Sequence, residues 1–159
     1  MNYHAAITDL VHYILRNGES YLRLIDSGNA FDKILRNYHQ FNLNGDKVYR
    51  KASKMSLHYR YSENAWKSKN QLDDLYFEHL VPLKITKEKL LDLIKTNKVS
   101  HESVKAILDE NEIVVITRIE QKIVDAPENF KSSLPEGNID RLSAVGIKIA
   151  EETKNNSLF

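Results

Sequence analysis

Cysteine is absent from these 159 residues. That excludes disulfides, thiolate zinc sites and a cysteine nucleophile, and it suits a reducing compartment, so the expected location is cytoplasmic. Glycine is scarce at five and proline at three, and no Gly-rich phosphate loop, dinucleotide fingerprint or Gly-x-Ser-x-Gly elbow occurs. No apolar run approaches the roughly 20 residues that cross a bilayer. The first residues carry Asp9 and show no cationic stretch followed by an apolar one. Neither a membrane span nor a secretory signal is expected.

What remains is ordinary globular material, 42% apolar and 28% charged. The length suits one domain over residues 1–159 with a real core. The net charge of +1 conceals an asymmetry: residues 1–70 hold eleven Lys and Arg against six Asp and Glu, residues 71–159 twelve against sixteen. Nine basic side chains fall between Lys33 and Lys69. Such a stretch suits phosphate backbones, with Lys47, Arg50, Lys51 and Lys54 on one helix as the first candidates. A solvated face, or a surface docking on the acidic half, fits the same residues.

Hydrophobic periodicity divides the chain. Ile7, Leu10, Val11, Ile14 and Leu15 mark one helical face, stopped at Asn17-Gly18. Helices follow at Tyr21–Ile25 and Phe31–Tyr38, then a turn at Asn42–Asp46. Val48, Ala52, Met55 and Tyr59 recur at helical spacing, and Ser62 can cap a short helix holding Ala65 and Trp66. Leu75–Leu83 reads as an extended, partly aromatic run. Helices through Leu90–Ile94 and from Ser100 to Leu108 come next. Ile113-Val114-Val115-Ile116 is the clearest strand, because β-branched residues fill it. Another helix starts after Thr117, and a last one near Asp140–Val145 stops at Gly146. Ile147-Lys148-Ile149 reads as an edge strand, and the polar tail after Glu151 as fraying. The pattern predicts a predominantly helical α+β chain, with residues 1–70 a basic helical region and few strands in the second half.

Two stretches carry chemistry. Leu57-His58-Tyr59-Arg60-Tyr61, followed by Trp66-Lys67-Ser68-Lys69, interleaves rings with cations as single-stranded nucleic-acid sites do; the alternative is that Tyr59 and Trp66 are core. The second is Phe77-Glu78-His79-Leu80-Val81-Pro82. A neutral histidine can take a proton from water, and a neighbouring carboxylate can hold Mg²⁺ or another divalent cation. In a regular strand adjacent side chains point to opposite faces, so one shared site requires the strand to end, bulge or bend here. The other reading is a surface Glu beside a packed His. His4, His12, His39, His58 and His101 show no paired-ligand spacing and read as structural or surface residues.

The hexapeptide resembles the first half of an HNH (His-Me finger) nuclease site. Ser62-x-x-Ala65, Glu78-His79-Leu80-Val81-Pro82, Val115-Ile116-Thr117 with Glu120, Ser133-Leu134-Pro135, Asp140-Arg141 and Gly146-Ile147 also recur in the order of a loosely defined Glu-His-Val-x-Pro group of bacterial and mobile-element proteins. The resemblance implies N-terminal helices packed on a small ββα-like core at 71–150. It implies a metal-dependent endonuclease on DNA ahead of RNA, with restriction or phage defence as settings it suits. His79 would be the base, Glu78 a metal ligand, Glu120 or Gln121 a second one, and Lys122 or Arg118, with Arg141, phosphate contacts; Arg60 and Lys67 of the ring-and-cation stretch are further candidates for nucleic-acid binding. The Asn and His of the second half of the HNH pattern are missing, and Thr117-x-x-Glu120 has the form of a helix capping box. The competing expectation is a non-catalytic interaction protein, an immunity or regulatory factor, that binds a protein or nucleic acid.

Overall fold

A computed structural model describes residues 3–25, 29–40, 59–126, 129–136 and 140–156. In chain order these form α1 (Tyr3–Arg16), α2 (Gly18–Ile25), α3 (Ala30–Asn37), β1 (Arg60–Tyr61), α4 (Glu63–Lys67), β2 (Leu75–His79), α5 (Leu83–Lys95), α6 (His101–Asp109), β3 (Ile113–Thr117), α7 (Arg118–Val124) and α8 (Arg141–Ala144). The fold is mixed α+β and predominantly helical, as the periodicity predicts. The chain gathers into two compact units, Met1–Val48 with Leu83–Asn111, and Tyr49–Pro82 with Glu112–Phe159.

The first unit is helical. The α1 stripe buries Val11, Ile14 and Leu15, which share a core with Leu22, Phe31, Leu35, Tyr38, Leu90, Val104 and Leu108. Local signals set the helix ends. Gly18, at φ 85°, opens α2 after the break from α1, in a conformation that side-chain-bearing residues resist. Asn97, at φ 55°, closes α5, with Lys98 N–H donating to the Leu93 carbonyl and Asn97 N–H to that of Ile94. That is the paired bonding of a Schellman motif. Ser100 caps α6 in a reciprocal box with Ser103. Two polar contacts cross the interior of the unit: Tyr38 Oη donates to Asp109 Oδ1 at 2.6 Å. Buried His39 donates from Nε2 to the Leu108 carbonyl at 2.9 Å.

The second unit is built on a sheet in the order β1-β3-β2. Central β3 runs parallel to β1 and antiparallel to β2, with Leu75 opposite Thr117, Glu78 opposite Val114 and His79 opposite Ile113. Its Ile-Val-Val-Ile run is buried on both faces. Val114 and Ile116 pack with Val124, Leu142 and Ile147, with Tyr76 of the neighbouring strand and with Leu80 just past its end. On the other face Phe77 meets the ring of Tyr59 at 5.6 Å. The strand at 75–79, the strand at 113–117 and the helix after it thus adjoin as the ββα expectation requires, although α5 and α6 lie between the strands in sequence.

Three local expectations change. Tyr59 continues the helical spacing of Val48 and Ala52, yet Arg60 and Tyr61 form strand β1; Tyr59 and Tyr61 are buried while Arg60 between them is half-buried, a period of two. Ile147–Ile149 gives only an isolated bridge, Ile149 to Ser62. The polar tail does not fray over 151–156: Thr153 is buried and accepts from Tyr61 N–H at 2.9 Å, and Asn156 donates to the Tyr59 carbonyl at 2.8 Å. The turn at 42–46, the helix spacing from Val48 to Met55 and the candidate cations Lys47, Arg50, Lys51 and Lys54 lie outside the described residues.

Candidate functional site

Glu78 and His79 occupy the last two positions of β2, and all five residues of that strand stay in register with β3. No bulge turns one side chain toward the other. Glu78 therefore lies on the face of Tyr76 and Leu80, and His79 on the opposite face with Phe77. Both are buried.

Glu78 meets a cation that the sequence had placed at a phosphate. Arg141, in the first turn of α8, is 2% exposed. Its Nη2 forms an ion pair with Glu78 Oε1. Its Nε donates to the His79 carbonyl at 3.0 Å, and its Nη1 to the Phe130 carbonyl at 3.1 Å. Burial pushes the guanidinium pKa down to about 10, which leaves it charged at neutral pH. Helix α8 is itself fixed by Asp140, which accepts from the backbone of Leu142 and Ser143. A planar fork bound to one carboxylate and two carbonyls has a set orientation that lysine would not reproduce.

Glu120 belongs to another network. It is the third residue of α7, and it completes a capping box with Thr117: its carboxylate accepts from Thr117 N at 2.8 Å while Thr117 Oγ1 accepts from Glu120 N at 3.2 Å. Ser62 Oγ donates to the same carboxylate at 2.7 Å, and Asn64 Nδ2 at 3.0 Å. Thr117 sits opposite Leu75, three residues and about 10 Å of strand from Glu78. Glu78, His79 and Glu120 thus have different surroundings. Among the described residues no group of three His, Asp or Glu side chains is placed to hold a metal ion.

The remaining candidate cations are scattered. Arg60 is ion-paired with Glu112. Lys67 and Lys122 are exposed, on α4 and α7. Tyr59 and Tyr61 are core residues, the latter edge-on to Trp66 at 5.4 Å, and Lys69 Nζ lies 3.7 Å over the Trp66 ring. The charge asymmetry along the chain is not one between the units. The first holds eleven Lys and Arg against ten Asp and Glu, the second twelve of each.

Ser62 and Asn64 were not assigned to Glu120 from the sequence. The only signal was the Ser62 cap, since its hydroxyl accepts from Ala65 N–H while donating to Glu120. Beside this network a cleft of about 310 Å³ opens between α4, α7 and the turn at 145–148, lined by Asn64, Glu120, Ile123, Gly146 and Lys148 among others. Comparison with protein-family models, curated proteins and solved structures finds no match to this chain.

Proposed function

We propose that this chain is a non-catalytic interaction protein in which Glu78, Arg141 and Glu120 are framework. The observation that carries the reading is the buried Glu78–Arg141 pair. A carboxylate that ligates Mg²⁺ needs lone pairs directed at the metal, whereas this one faces a guanidinium within the fold. Glu120 supports the same view, because four donor contacts from Ser62, Asn64 and Thr117 already surround it. The surface offered to a protein partner is the outer side of α7, where Ile119 is 74% exposed and Ile123 42%. No helix among the described residues is long and apolar enough to cross a membrane.

The second reading, a divalent-metal-dependent nuclease on DNA or RNA, keeps one observation in its favour: antiparallel β2 and β3 followed by α7, with Glu78 and His79 at the strand end. An assay of DNA and RNA cleavage with Mg²⁺ and Mn²⁺, run beside His79→Ala, separates the two. The interaction reading expects no metal-dependent cleavage by either protein. Cleavage by the parent that disappears in His79→Ala overturns it.

A further inference from the structure

Helix α1 buries Thr8, Val11, Ile14 and Leu15 on one side, and its exposed side mixes charged residues with large apolar ones. Leu10 is 44% exposed and Tyr13 59%. With Tyr3, Ala6 and Asn17 they fall at positions 3, 6, 10, 13 and 17, the alternating three-and-four spacing of a coiled-coil seam. Exposed Asp9 and Arg16 stand one heptad apart along one edge of that stripe. Asp9 reaches His101 with Oδ1 at 3.1 Å, and its side chain remains 70% exposed.

We propose that α1 pairs antiparallel with α1 of a second copy of this chain, about a two-fold axis. Each Leu10 then packs against the partner's Tyr13, and each Asp9 faces the partner's Arg16. One acid and one base on the same edge are what a self-complementary contact requires, because the two-fold generates both ion pairs from a single surface. A seam for an unrelated acidic or basic helix would carry one sign. Fourteen residues of helix span only about 21 Å, and one such helix on each side makes a small contact of the kind found in transient pairs, so the dimer forms reversibly with concentration. This inference stands apart from the function proposed above, and a nuclease could pair in the same way.

The test is sedimentation of the full chain over a dilution series reaching about 100 µM, with circular dichroism to check folding of each variant. The parent shifts from monomer toward dimer, and Leu10→Asp stays monomeric. Asp9→Arg alone and Arg16→Asp alone each weaken association on the order of tenfold, because like charges now meet across the axis. An equimolar mixture of those two variants restores dimer, since each supplies the charges the other lacks. A parent that is monomeric throughout, or a mixture that associates no more tightly than its components, overturns the proposal.

Discussion

Arg141 shows how one side chain changes meaning between sequence and fold. In the sequence it is a cation near a nuclease-like pattern; in the structure its charge is spent on Glu78 and two carbonyls. Removing one member of a buried pair strands the other, so Arg141→Met should cost roughly 3–5 kcal/mol in urea unfolding. Glu78→Leu combined with Arg141→Met should recover part of that loss and not all, because the His79 and Phe130 carbonyls stay without their donor. A loss below about 1 kcal/mol for Arg141→Met would mean the pair is solvated. His4 makes a pH prediction. Burial, opposed by the nearby Asp109 charge, lowers its pKa below the ordinary 6.5. The folded state thus resists the proton that the unfolded chain accepts. That contribution is neutral above pH 6.5 and turns against folding as pH falls below it. Melting temperature should drop between pH 7.5 and 5.5, and His4→Phe should flatten the drop; an unchanged slope would place its source elsewhere.

Most elements were legible because their signals are local. The α1 stripe, the Ser62 cap, the helix start at Ser100, the Thr117-x-x-Glu120 box and the β-branched run of β3 each act over a few residues, and each appears where the sequence put it. Strand β1 was not legible, since two residues hold too little pattern and its pairing with β3 spans more than fifty positions. The ordered tail was hidden likewise: nothing around Thr153 announces that it will bind the Tyr61 backbone. Candidate-site residues followed the same rule. Glu120 was readable as a cap, while its contact with Ser62 comes from distant chain. Ser62 carries two functions, capping α4 and donating to Glu120, so Ser62→Ala should cost more than a simple cap, on the order of 2 kcal/mol. Thr117→Ala, where Glu120 keeps its other donors, should cost about 1 kcal/mol. Equal losses in chemical denaturation would show that the Ser62–Glu120 bond adds nothing.

At the scale of the molecule, each unit is assembled from two stretches of chain. The Leu80 N–H bonds the Glu112 carbonyl at 2.9 Å, so the two ends of the intervening segment lie side by side in the second unit. Replacing residues 82–110 with a short Asn-Gly turn should therefore leave a chain that still pairs β2 with β3, visible as the strand-to-strand contacts in NMR; loss of those contacts would tie the sheet to the helices of the first unit. Both ladders of the sheet run through β3, which bears on how the protein is made. A ribosome delivers β1 and β2 long before β3, at roughly 5–20 residues each second. All of the first unit, to Asn111, also emerges ahead of Ile113. Helices with neighbouring partners can settle during that interval, whereas the two early strands wait with no sheet to join. The Ile-Val-Val-Ile segment is the last of the three strands delivered, and a chain arrested before it carries two orphan strands for proteases and chaperones to find.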